Sequence, residues 1–384
     1  MAGARWFAAL RRRRLGVALA VVLVGATIPL VRTGLRPVPD EEPDDTTGPA
    51  VEPTTSFVYD VDVDLHGQVQ GYALRAVCPV RSGAGPCTTE VLYTENGVRW
   101  AIQSRLPATG DSSVPRLDRR IQTLGPSKVV VEARTERWYS GDSALTWQRV
   151  PVEPDMSVPA IPADAVLETR CFVVTSACRG PGQLLVTLPD SGRSAILANP
   201  PALDQLAPGR IPAADGGWWA SGQDPATGRW LLAVSRDAGR GWTVTPLPPF
   251  TGTPQAGIAV TATPNALYAA AVGQLPDTAA GLLAIFRSTD GGVTWTVAWQ
   301  ARDGSQPRSI AGTLMAAPDG SVTVTSQDGG TYVSTDGAAT FHQNPGPARH
   351  ARWTRIGYIA SFGGTSGQYT WSRDGTRWQD FNVG

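Results

Sequence analysis

The chain has 384 residues, with 42 Gly and 32 Pro, a composition that suits many tight turns and works against long helices. Lys+Arg and Asp+Glu both number 33, yet seven arginines and no acid fall in residues 1–36, which leaves 26 basic against 33 acidic groups and no basic footprint for nucleic acid. Its three histidines, His66, His342 and His350, lack the spacing of a metal-binding helix, and no cofactor is expected.

Residues 1–14 end in four arginines, Arg11 to Arg14, and residues 15–31 carry no charge. Seventeen apolar positions reach the short limit for crossing ~30 Å of hydrocarbon, and the arginine flank keeps the N-terminus cytoplasmic. A cleavable signal peptide shares this layout, but Pro29-Leu30-Val31-Arg32 offers no small-x-small cleavage site. The expectation is an uncleaved transmembrane signal anchor in the cell membrane, single-pass, with everything after it extracytoplasmic. Residues 32–55, rich in Pro and acids with few large apolar groups, read as an extended tether.

Residues 56–384 read as short strands. Phe57 to Leu65 alternates, with Asp60, Asp62 and Asp64 on one face and Val61, Val63 and Leu65 on the other. A calcium loop would need a glycine after the third Asp, where Leu65 stands, so a solvated or channel-facing edge is expected. Further strands are predicted near 71–78, 90–94 and 98–103, at 128–132 and 137–140, and, after a proline-rich link at 151–162, near 164–170, 172–177 and 183–188. Strands at 217–220 and 230–234, at 257–263, 266–272 and 282–288, at 309–316, 321–325 and 331–334, and at 353–355, 358–361 and 368–372 complete the series.

One motif punctuates them. Ser288-Thr289-Asp290-Gly291-Gly292-Val293-Thr294-Trp295 places two side-chain acceptors beside backbone N–H groups and a glycine where a tight turn demands positive φ. It returns at Ser235, Asp237, Gly239 and Trp242, at Ser334, Asp336 and Phe341, at Ser140, Asp142 and Trp147, and, one residue shorter, at Ser372, Asp374, Gly375 and Trp378 and at Thr94, Asn96, Gly97 and Trp100. The poorest copy runs from Thr187 through Asp190 and Gly192 to Ile196. Closing residues 100, 147, 196, 242, 295, 341 and 378 are 47, 49, 46, 53, 46 and 37 apart. A period in the forties with several strands per unit predicts an all-β, seven-bladed β-propeller, with six blades as the alternative. Phe57 to Leu65 is then expected beside the last blade to close the ring.

These segments resemble Asp boxes, or BNR repeats, of sialidases, sortilin-like receptors and the photosystem II assembly factor family. The resemblance implies that each box joins the third and fourth strands of a blade away from the usual ligand face, as a folding element.

Four cysteines, Cys78, Cys87, Cys171 and Cys178, are expected to pair outside the cell, with three connectivities open. Cys78 and Cys87 flank a flexible loop. Cys171 and Cys178 would stand ~23 Å apart if extended, so they pair only if the chain turns between them.

Resemblance to sialidases implies an arginine cluster, a Tyr–Glu nucleophile pair and an acidic general acid. Gly209-Arg210-Ile211-Pro212 matches an Arg-Ile-Pro motif of those enzymes, but it follows the third blade and reads as an interblade loop. No catalytic motif is found, so the expected role is a non-catalytic binding or assembly module for an envelope protein or glycan on the propeller's loop face, with Trp218, Trp219 and Trp299 as contact candidates. A sialidase-like glycoside hydrolase is the alternative. A single lysine, Lys128, among many arginines suggests a high-GC bacterium.

Overall fold

A computed structural model describes residues 57–67, 69–78, 87–107, 119–133, 136–170, 182–276, 278–362 and 367–383. The anticipated anchor and tether, the strand at 172–177, and Cys171 and Cys178 lie outside the described residues. Among those residues no helix is long and apolar enough to cross a membrane.

The described residues form seven four-stranded sheets. Blade 1 holds β1 (Phe57–His66), β2 (Gln70–Cys78), β3 (Thr88–Thr94) and β4 (Ala101–Arg105), and blade 2 holds β5 (Arg120–Thr123), β6 (Val129–Glu132), β7 (Arg137–Ser140) and β8 (Gln148–Val150). Blade 3 holds β9 (Ser157–Val158), β10 (Val166–Arg170), β11 (Gln183–Thr187) and β12 (Ser194–Leu197). Blade 4 follows with β13 (Asp204–Pro208), β14 (Trp218–Gln223), β15 (Trp230–Ser235) and β16 (Thr243–Pro246), and blade 5 with β17 (Pro254–Ala262), β18 (Leu267–Leu275), β19 (Thr278–Ser288) and β20 (Thr296–Gln300). Blade 6 has β21 (Met315–Ala316), β22 (Val322–Thr325), β23 (Thr331–Ser334) and β24 (His342–Asn344), and blade 7 has β25 (His350–Thr354), β26 (Gly357–Ser361), β27 (Gln368–Ser372) and β28 (Gln379–Asn382).

A small sheet cannot bury both faces by itself, and here each seam between consecutive blades holds its own apolar cluster. Tyr72 and Val91 meet Ile121 and Val129 between blades 1 and 2, Val130 and Tyr139 meet Val166 between 2 and 3, and Leu184 and Val186 meet Trp218 and Ala220 between 3 and 4. Leu232 and Trp219 meet Leu267 and Phe286, Tyr268 and Ile285 meet Val322 and Val324, and Met315 meets Ala351 and Tyr358. Val63 and Leu65 of blade 1 meet Ile359 and Phe381 of blade 7, which closes the ring. Burying one side chain of this size contributes about 1.5–3 kcal/mol, so stability is spread around the disc.

Six of the repeated motifs form the same corner between the last two strands of a blade. The hydroxyl of Ser288 accepts the N–H of Gly292 at 2.9 Å and Asp290 accepts that of Thr294 at 2.9 Å. Ser140 serves Ala144 and Asp142 serves Thr146, Ser235 serves Gly239 and Asp237 serves Gly241, and Ser334 serves Ala338 and Asp336 serves Thr340. The short copies use Ser372 for Gly375 with Asp374 for Thr376, and Thr94 for Gly97 with Asn96 for Val98 and Arg99. Gly292 sits at φ 94°, and a Cβ there would come within 2.4 Å of the Trp219 ring. The left-handed residue is not always glycine, since Ala144 and Ala338 hold φ 64° and 71°. At the seventh copy the hydroxyl of buried Thr187 has no partner, and Asp190 pairs with Lys128 instead.

The closing aromatics seal each blade to the one before it. Trp100 stacks on Phe381 of blade 7 with centroids 5.7 Å apart, Trp295 meets Trp219 of blade 4 edge-on, and Phe341 meets Trp299 of blade 5 edge-on. Trp147 donates its indole N–H to Ser104 of blade 1 and Trp242 to the Asn199 carbonyl of blade 3. Trp378 donates to the Gly375 carbonyl within its own corner and lies under the Arg349 guanidinium.

Blade 3 departs from the expected pattern. Its outermost strand comes from the segment read as a linker, β9, which pairs parallel with β12. Its innermost strand runs against the others: Asp164, just before β10, lies at His66 and Arg355, where β1 and β25 end, whereas Glu168 lies beside Glu132, which pairs with Arg120 at the start of β5. In blade 6 the strand predicted at 309–316 shortens to Met315–Ala316, because Gly312 at φ 81° bridges to Ala351 of blade 7. Cys78 and Cys87 form a disulfide with Cα atoms 4.2 Å apart.

Candidate functional site

The inner strands place their charged residues around the axis. Asp64, 2% exposed, accepts from Thr123 N at 2.8 Å, Thr123 Oγ1 at 2.7 Å and Gln122 Nε2 at 2.7 Å. Asp62 accepts from Ile121 N at 2.8 Å, and Arg352 of blade 7 reaches it at 3.3 Å. Asp62 and Asp64 therefore face the channel, Asp62 half-buried and Asp64 buried and taken up in joining blade 1 to blade 2. Among the described residues no group of three His, Cys, Asp or Glu side chains could hold a metal ion.

Between blades 2, 3 and 4, two arginines and two carboxylates form a closed square. Arg137 Nη2 lies 2.8 Å from Glu132 and 3.3 Å from Glu168. Arg210 Nη2 lies 3.4 Å from Glu132 and 2.8 Å from Glu168. Burial, and then the charge of Glu132, pushes Glu168 up to about 7. Burial acts the same way on Glu132, but Arg137 and Arg210 outweigh it and hold that carboxyl below its ordinary value. Of the two adjoining carboxyls, Glu168 is thus the one whose protonated form is favoured.

Arg210 also lines an axial cavity of about 500 Å³. Three arginines from three blades line it, Arg120, Arg210 and Arg352, with Asp62 and Asp64 on the same wall and Ile211, Ala259 and Val260 opposite. Arg120 is exposed, and its side chain has no hydrogen bond or ion pair among the described residues. A neighbouring cavity of about 520 Å³ shares Arg120, Pro208 and Arg210 and is also lined by Glu132 and Glu168. At the inner end, Trp353 donates its indole N–H to the Pro212 carbonyl at 3.1 Å. That bond runs from blade 7 to blade 4 across the axis. The pocket combines charged, apolar and aromatic lining residues.

Of the groups here, the sequence singled out Asp62, Asp64, Trp219 and Arg210. Arg210 does not lie in an interblade loop: residues 209–212 fall between β13 and β14 within blade 4, and the Arg210 carbonyl accepts the N–H of Leu167. Trp218, Trp219 and Trp299 are 7%, 4% and 8% exposed and pack within seams, although one edge of Trp219 lines the axial cavity. Arg120, Arg137, Arg352, Glu132 and Glu168 escaped sequence reasoning because each comes from a different strand. A charged residue after apolar strand positions, as in Val129-Val130-Val131-Glu132 and Val166-Leu167-Glu168, is the signal that marks two of these five strands.

No family model and no curated protein matches the chain. Among solved structures it is similar to YCF48 bound to a D1 peptide, at 13% identity and TM-score 0.43 over 86% of this chain and 95% of that one. It is also similar to a Penicillium chrysogenum alpha-L-arabinanase complexed with arabinobiose, at 12% identity and TM-score 0.37 over 85% and 93%. PorZ, a surface component of the type-IX secretion system of Porphyromonas gingivalis, gives 12% identity and TM-score 0.43 over 86% of this chain and 39% of that one. Likeness at this level assigns no function.

Proposed function

We propose that this chain is a membrane-anchored, extracytoplasmic propeller that acts as a non-catalytic binding or assembly module. Its axial pocket takes an acidic group of an envelope protein or glycan. The convergence of Arg120, Arg210 and Arg352 on one cavity carries this reading, because guanidinium groups present forked donors that match a carboxylate. Arg120 is exposed and has no side-chain partner among the described residues, which leaves its guanidinium free of competing acids there. The surrounding wall is rigid, since Arg352 and Arg210 are themselves held by acids.

The same three arginines favour a sialidase-like hydrolase as a second reading, and the carboxylates speak against it. Glycosidases separate their two carboxyl groups by about 5–9.5 Å across the scissile bond. Glu132 and Glu168 instead share the same two arginine nitrogens. No tyrosine is among the described residues lining the cavity. Assay of the full chain in neutral detergent with a fluorogenic sialoside separates the two. Absence of turnover supports the binding module, while turnover lost in Glu168→Gln contradicts it.

A further inference from the structure

A second cavity, of about 670 Å³, lies beyond Trp353 at the other end of the axis. Its charged lining is His66, Asp164, Arg355 and Arg373, three groups able to carry positive charge against one carboxylate. Arg355 Nη2 donates to the carbonyls of Asp164 and Ala165, both at 2.7 Å, and Nη1 stands 3.9 Å from Asp164 Oδ1. His66 Nε2 lies 3.4 Å from the same carboxylate oxygen. These contacts tie blades 1, 3 and 7 together, and they hold Asp164 at φ 62°, a left-handed conformation uncommon for a residue with a side chain.

Two features mark this mouth as more than a brace. Arg355 Nε and His66 Nδ1 are both buried without a hydrogen-bond partner, and buried polar atoms of native proteins are normally satisfied. Arg373 is exposed, and its side chain makes no hydrogen bond or ion pair among the described residues. Burial lowers the Arg355 pKa, and Asp164 only partly opposes this, so a further negative charge beside it is favourable.

We propose that this cavity is a second binding site, separate from the axial pocket, for a phosphate-type oxoanion held by Arg373, Arg355 and His66. A planar carboxylate is matched by a single guanidinium fork. Donors here arrive from the end of β1, from the residue after β25 and from the turn after β27, an arrangement suited to a tetrahedral group with acceptors on several sides. The cavity is far larger than one phosphate, and Trp353 and Ile356 supply an apolar wall for whatever the group is attached to.

The test titrates inorganic phosphate into the full chain in neutral detergent and follows binding by calorimetry. The wild type is expected to show saturable binding, weakened at least about tenfold in Arg373→Glu and unchanged in Arg99→Glu, an exposed arginine that lines none of these cavities. Arg373 is exposed, so its variant folds, and circular dichroism verifies this. Vesicles of phosphatidylglycerol, with phosphatidylcholine as control, then compete. Displacement assigns the group to a lipid headgroup, and no displacement assigns it to a soluble phosphate ester; both uphold the site. No saturable phosphate binding, or binding lost equally in Arg99→Glu, overturns it.

Discussion

Asp62 and Arg352 stand 290 positions apart in the chain and 3.3 Å apart in the ring. Blades 7 and 1 thus close through a charged contact at the axis, with Val63, Leu65, Ile359 and Phe381 forming the apolar seam further out. Closure and the axial pocket use the same side chains, so the pocket exists only when the ring is shut.

Asp64→Ala tests how far that inner layer supports the fold. It leaves Thr123 N–H, the Thr123 hydroxyl and the Gln122 amide without their shared acceptor. The expected cost is about 3 kcal/mol, read as a lower urea midpoint, with Thr123→Val in the Asp64→Ala background recovering part of it.

The corners predict acid sensitivity. Hydrogen bonds from Thr146 and from Thr294 hold Asp142 and Asp290 down at about 2, and Asp336, Asp237 and Asp374 are also lowered. A depressed carboxyl contributes stability that is present above its unfolded value, 3.8, and is lost as pH falls through its folded value. Thermal midpoints should fall between about pH 4 and 2, and less steeply in Asp290→Asn. An unchanged slope would contradict the corner geometry.

Glu168 predicts the opposite trend near neutrality. A carboxyl raised to about 7 favours the folded state below its ordinary value of 4.5, and that contribution is lost as pH rises through about 7. Wild-type stability should therefore decline from about pH 5 to 8, while Glu168→Gln, which keeps the neutral shape, should show a flatter profile and equal or greater stability at the alkaline end.

The Cys78–Cys87 bond closes a short loop with a sequence separation of 9. Replacing both cysteines by serine should cost about 2–3 kcal/mol, seen as a lower thermal midpoint that reductant reproduces in the wild type.

Much of the fold was legible because the information was local. A Ser, an Asp two residues on and a closing aromatic specify one corner, and their regular spacing gives the blade number. Thr187 was the weakest copy in the sequence, and its hydroxyl is the one left without the corner hydrogen bond. What stayed hidden depends on contacts between distant blades. Nothing local tells that β9 would cross to the edge of β12, or that Gly312 would break β21 by turning toward Ala351. The site was less legible still, since Arg120, Arg210 and Arg352 come from blades 2, 4 and 7 and meet only on the axis. Arg210 drew attention for a three-letter motif, whereas its importance lies in pairing with Glu132 and Glu168.

The central claim, that the axial arginines receive an acidic partner group, is tested most directly by comparing what the full-length wild type and Arg120→Glu retain from a detergent extract of the envelope. The account predicts at least one component enriched by the wild type, lost with the charge reversal and displaced from the wild type by a soluble carboxylate competitor. Equal retention by both proteins would contradict it.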